Sequence, residues 1–114
     1  MSFYPAKGGN GNAYTAESFY LEVNGTKTIK LVANANAIYI MSDLKDATSF
    51  FKTYVNDALK TSSISNIFHS GDAWGASVGK LSGNFKKGDV EKFTPLPGIA
   101  HSVKMIMIAI TEGE

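Results

Sequence analysis

Hydrophobic and polar residues follow two different periods along the chain. From Thr15 to Val23 and from Thr26 to Ala33 they alternate with a period near two, the pattern of half-buried strands. Asn24-Gly25 between them is a strong short-range hairpin signal. A two-residue loop would set Phe19 opposite Lys30. A three-residue loop with a glycine bulge pairs Phe19 with Ile29 and keeps Leu21 and Leu31 on the same face. Burying one face outweighs one exposed ion pair, so the bulged hairpin is the expected form. After Asn34-Ala35-Asn36, Ala37 to Met41 is expected as a short third strand.

The period then changes. Leu44, Ala47, Phe51, Tyr54 or Val55, and Ala58 recur at steps of three and four, which predicts one stripe of an amphipathic helix over about 43–60. Ser42 or Asp43 would cap its start and Lys60 would suit its last turn. Ile64 to His69 reads as a strand, and Gly71, Gly75, Gly79 and Gly83 punctuate tight turns and strand edges. Lys86-Lys87-Gly88-Asp89 marks a turn between Phe85 and Val90–Phe93, and Pro95-Leu96-Pro97-Gly98 an extended passage that then turns. Val103 to Thr111 is a last strand, apolar on both faces from Met105 to Ile110, and is expected centrally in a sheet. These elements predict an α+β fold: a mainly antiparallel β-sheet of five or six strands with helix 43–60 packed on one face. Residues 1–13, with their glycine-asparagine run, read as a flexible N-terminal arm, and residues 14–114 as a single globular domain.

Composition narrows the function classes. The chain has 114 residues, no cysteine and a net charge of +1, so disulfide scaffolds, thiolate metal sites and thiol catalysis are excluded. All eleven basic residues are lysines, and they form no basic stripe. Without arginine's planar fork the chain lacks the usual reader of guanine edges and phosphates, so no nucleic-acid partner is expected. The start, Met1-Ser-Phe-Tyr-Pro-Ala-Lys, lacks the basic-then-apolar order of a signal peptide, and the longest apolar run, Met105 to Ile110, is too short for a membrane span. Cytoplasmic synthesis with no membrane partner is the expectation.

Little of the remaining chemistry forms a constellation. His69 and His101 are the two histidines, and His69-x-x-Asp72 lacks a third ligand, so each is read as a structural or surface histidine, with no metal and no cofactor expected. Gly75 to Lys80 lacks the glycine spacing of a phosphate loop, and Leu81 stands where a hydroxyl should hold magnesium. No Gly-x-Ser-x-Gly elbow occurs. Trp74, the one tryptophan, either stacks on a sugar ring, anchors an interface, or plugs the core beneath its loop. Phe3 and Tyr4 are candidate anchors onto a neighbouring subunit, against the plainer reading of a disordered end.

Three features together resemble small bacteriophage virion components of the head-decoration or tail-assembly kind. They are the Phe3-Tyr4-Pro5 arm on its Gly8-Gly9-Asn10-Gly11 tether, the arginine-free, cysteine-free body rich in Asn, Lys and Ile, and the Met105–Ile110 strand just before Glu112-Gly113-Glu114. The resemblance is compositional and carries no site residues. It implies homo-oligomeric assembly, or assembly with other structural proteins, possible residence in a virion, and no catalysis. The expected function is therefore a non-enzymatic structural or assembly protein. The alternative is a small carbohydrate- or ligand-binding module using Trp74, and a small enzyme comes third.

Overall fold

The computed structural model describes residues 14–43, 51–69, 76–98 and 101–113. Among them nine strands follow in order: β1 (Thr15–Leu21), β2 (Lys27–Lys30), β3 (Ala35–Ser42), β4 (Phe51–Val55), β5 (Ala58–Leu59), β6 (Ser65–His69), β7 (Ser77–Phe85), β8 (Val90–Pro95) and β9 (Val103–Ile110). A 3-10 turn, Thr61–Ser63, precedes β6. The strands form two antiparallel sheets, one of five strands in the order β1-β9-β3-β7-β6 and one of four in the order β2-β8-β4-β5. Their inner faces share one core, so the fold is a two-layer sandwich rather than a single sheet covered by a helix.

The expected helix over 43–60 is overturned. Phe51–Val55 is a strand whose Phe51, Thr53 and Val55 are buried while Lys52 is exposed and Tyr54 half-buried. Residues four apart share a face in a helix and in a strand alike, so Phe51 and Val55 fit both periods. The residues between them decide. Thr53 is β-branched and Tyr54 aromatic, and both suit a pleated, half-buried surface. Asn56 and Asp57 then adopt left-handed backbone, φ 49° and 70°, and close a two-residue hairpin in which Val55 pairs with Ala58. Asn56 bonds Val90 twice, its Oδ1 accepting from Val90 N at 3.0 Å and its own N donating to Val90 O at 2.8 Å. Residues 44–50 lie outside the described residues.

The expected β1–β2 hairpin is also corrected. A turn is present, with Asn24 at φ 62° and Gly25 N donating to Glu22 O at 2.9 Å. The strands it joins do not pair: β1 runs beside β9, with Phe19 opposite Met105, and β2 runs beside β8, with Ile29 opposite Glu91. The chain crosses between sheets at this turn. Phe19 and Leu21 thus meet Ile29 and Leu31 within one core instead of lying beside them. A Lys27–Glu17 ion pair joins β2 to β1 across the layers. The Lys86–Asp89 turn, with Gly88 at φ 96°, is another crossing, from β7 to β8.

Phe93 links the two layers, its ring centroid 5.5 Å from Phe19 on the five-stranded sheet and 5.7 Å from Phe51 on its own. β9 lies between β1 and β3, the central place its double-sided apolar pattern suits. No helix among the described residues is long and apolar enough to cross a membrane.

Candidate functional site

The outer face of the five-stranded sheet departs most from an ordinary sandwich. Val103, Met105, Met107 and Ala109 of β9 point into the core, which turns Ile106, Ile108 and Ile110 outward, half-buried. Register extends this row across the sheet: Ile106 pairs with Met41, Met41 with Val78, and Val78 with Phe68. Phe68 is 53% exposed, as is the neighbouring Ile67 at 54%. Beside the row a shallow, mainly apolar depression of about 230 Å³ is lined by Met41, Ala76 and Ile106, with Asp43 and Lys104 flanking it. The solvated face of an antiparallel sheet normally alternates to polar residues; this one keeps Ser18, Lys80 and Lys104 but runs an apolar row between them.

Next to the row lies a polar cluster. Tyr39 OH donates to Glu112 Oε2, and Lys80 Nζ lies 2.7 Å from Glu112 Oε1 and 5.6 Å from the centre of the Tyr39 ring. Asn36 fixes the Glu112 main chain: its Oδ1 accepts from Glu112 N at 2.8 Å and its Nδ2 donates to Glu112 O at 3.1 Å. Donation to Glu112 holds the Tyr39 hydroxyl above the ordinary phenol range. The bond to Glu112 likewise raises Lys80, while Lys80 first and Tyr39 second hold the Glu112 carboxyl below its usual range. All three shifts favour the same state: neutral phenol, charged ammonium, charged carboxylate. The cluster is built to hold the segment after β9 on the sheet, and none of its groups is poised to exchange a proton near neutrality.

Inside the sandwich sits one carboxyl that sequence reasoning passed over. Glu91 of β8 is 1% exposed, with Ile29 and Val55 as its neighbours in register. Thr53 Oγ1 donates to its Oε2, and its Oε1 has no partner among the described residues. Burial pushes this carboxyl up to about 7, against the opposing effect of the Thr53 bond.

A separate cleft of about 340 Å³ opens between the β4–β5 hairpin and the end of β7. Val55, Leu81 and Phe85 floor it, and Lys60, Ser82 and Asn84 are among its polar lining.

The residues singled out from sequence are not brought together. Phe3, Tyr4 and Trp74 lie outside the described residues, as does the arm over residues 1–13. The main chain of His69 belongs to β6, opposite Ser77. His101 is exposed just before β9, its Nδ1 3.1 Å from Ser102 O. No group of three or more His, Asp or Glu side chains gathers in ligating reach among the described residues. Tyr39 and Glu112 were missed because 73 residues separate them. The doubly apolar pattern that places β9 centrally in the sheet also carries Ile106, Ile108 and Ile110, and the sequence alone does not say that nothing in the other layer covers them.

No family model matches the chain, and no curated protein matches it. Among solved structures, the fold is similar to part of the catalytic unit of a thermostable GH87 α-1,3-glucanase from Streptomyces thermodiastaticus strain HF3-3. The TM-score is 0.50 at 11% identity, over 88% of this chain and 26% of that one. The chain thus spans about a quarter of that structure, and the likeness is one of fold.

Proposed function

We propose that this chain is a non-enzymatic assembly module that works through contacts between copies of itself, made by the outer face of the five-stranded sheet. The observation that carries this is the outward Ile106, Ile108 and Ile110 on the central strand, with Ile106 continued in register by Met41, Val78 and Phe68. A two-layer sandwich needs no apolar residues there to fold, and a half-exposed apolar row that ends in the exposed Phe68 suits a contact surface. Among the described residues the charged groups on and around this face balance: Lys80 is paired with Glu112, and Asp43 and Lys104 border the same depression. A two-fold contact sets one patch against itself, so a face without net charge suits a second copy. Such a role is also what the compositional resemblance to small phage virion proteins implies, although no phage protein appears among the comparisons. The likeness to part of a glucanase is one of fold and assigns no glucan hydrolysis here.

Light scattering on the purified chain across a concentration series tests the proposal. The wild type is expected to associate, and Ile106→Lys to stay folded by circular dichroism while shifting to monomer. Burying one such side chain is worth about 1.5–3 kcal/mol, roughly tenfold or more in affinity for each copy. A wild type that stays monomeric at every concentration overturns it.

A further inference from the structure

The lysines form no basic stripe along the chain, yet the four-stranded sheet gathers three of them on its outer face. Ile29 of β2, Glu91 and Phe93 of β8, and Phe51, Thr53 and Val55 of β4 are buried, which turns the residues between them away from the core. Lys30, Lys92 and Lys52 are thereby outward, one from each strand. Register sets their spacing. Lys30 stands opposite Val90 and Lys52 opposite Thr94, two residues to either side of Lys92 on the strand between them. The three lie on one diagonal, and diagonal neighbours on adjacent strands are about 7–8 Å apart.

The charge on this face is one-sided. The other outward residues of the three strands carry no carboxylate, and the acid beside them is Asp57 in the β4–β5 turn, 3.5 Å from Lys92 with its side chain 90% exposed. So exposed a pair neutralises Lys92 only weakly. Lys30 and Lys52 have no carboxylate partner among the described residues. Next to the diagonal is a small apolar platform: Tyr54 lies between Lys92 and Leu59 in register, and Leu59 is 54% exposed. Lys92 Nζ is 4.8 Å from the centre of the Tyr54 ring.

We infer that this face binds a linear anionic polysaccharide, with its carboxylates or sulfates on Lys30, Lys92 and Lys52 and one sugar ring against Tyr54 and Leu59. A lysine ammonium is a compact charge on a flexible stem, suited to a strip of spaced anions rather than to one forked group. An aromatic face beside it takes the C–H side of a sugar ring. Single-stranded nucleic acid stacks successive bases on successive rings, and the outward positions of these strands supply one ring. A protein partner would need an apolar centre, from which lysine is depleted. This face and the proposed assembly face lie on opposite sides of the sandwich, so the two readings fail independently.

Proton–nitrogen correlation spectra of the full-length protein test the inference, with titrations of galacturonate oligomers, a sulfated oligosaccharide, neutral maltooligosaccharides of the same length and oligothymidylate. At least one of the two anionic sugars is expected to give saturable shifts clustered at amides 28–30, 52–59 and 90–94, weakened by added salt. Lys30→Gln with Lys52→Gln should weaken that sugar tenfold or more while the spectra stay dispersed, and Lys30→Arg with Lys52→Arg should retain it. Asp57→Asn, which removes the competing carboxylate, should tighten it. The inference is overturned if neither anionic sugar gives saturable shifts at those amides, if the glutamine variant binds like wild type, or if the neutral sugar or oligothymidylate binds there as tightly.

Discussion

Thr53 Oγ1 donates a 2.9 Å hydrogen bond to Glu91 Oε2 between adjacent strands of the four-stranded sheet, on its core-facing side. The other carboxylate oxygen has no partner among the described residues, so this buried acid is half satisfied. A charge in such a place costs more than a neutral acid, because the low-dielectric interior replaces water poorly.

The first prediction concerns pH. The Glu91 carboxyl is raised from 4.5 to about 7 in the fold, so the folded state holds its proton where the unfolded chain has released it. Stability is therefore expected to fall as pH rises from about 4.5 to about 7 and then level off. The loss from this group is roughly 3 kcal/mol over that range. Urea midpoints between pH 5 and 8 check the direction. Glu91→Gln should flatten the profile, and an unchanged slope in that variant would place the effect on another group.

Thr53→Val removes the hydroxyl while nearly keeping the shape. At pH 8, where Glu91 is charged, the loss is expected to be about 1.5–3 kcal/mol, the range for hydrogen bonds to charged groups. At pH 5, with Glu91 protonated, it should be smaller. Equal losses at the two pH values would show that Thr53 acts through packing alone.

Phe93 touches aromatic rings in both layers and is fully buried. Phe93→Ala is expected to cost about 3–5 kcal/mol, with a matching drop in the thermal midpoint. A cost under 1 kcal/mol would mean that the layers do not meet at this ring.

The β4–β5 turn gives a test of opposite sign for strand and helix. Asp57 sits at φ 70°, so Asp57→Gly relieves backbone strain at the cost of one exposed ion pair to Lys92. The expected result is neutral or stabilising, by up to about 1 kcal/mol. In a helix interior the same change would destabilise, by roughly 0.3 kcal/mol from the difference in helix propensity. Chemical denaturation separates the two.

Much of the local structure was legible in the sequence. The alternation of β1 and β9, the double-sided apolar pattern of Met105 to Ile110, and the turns near Asn24 and Gly88 depend on neighbouring residues and on which of them tolerate positive φ. Those signals act over a few residues and survive in any fold. They do not say which strand pairs with which. Asn24-Gly25 closes a hairpin or a crossing between sheets with the same local chemistry, and the choice followed from where Phe19, Leu21, Ile29 and Leu31 bury most surface. The stretch from Phe51 to Ala58 satisfied a helical stripe because a spacing of four belongs to both periods. Pairing with β8 resolved it as strand.

The candidate sites were decided by tertiary structure. Nothing local in Val90-Glu91-Lys92 marks its carboxyl as interior, and packing of one sheet on the other puts Glu91 inside. Tyr39 and Glu112 meet across 73 residues because β9 pairs with β3 and carries the following segment onto that strand's outer side. The cleft exists because β5 stops after two residues while β7 continues. Sequence periodicity determines which face of a strand is apolar, since that depends on the alternation of adjacent side chains. What the face meets, another sheet, a second copy or solvent, is set by competition for burial over the whole chain, which no local window contains.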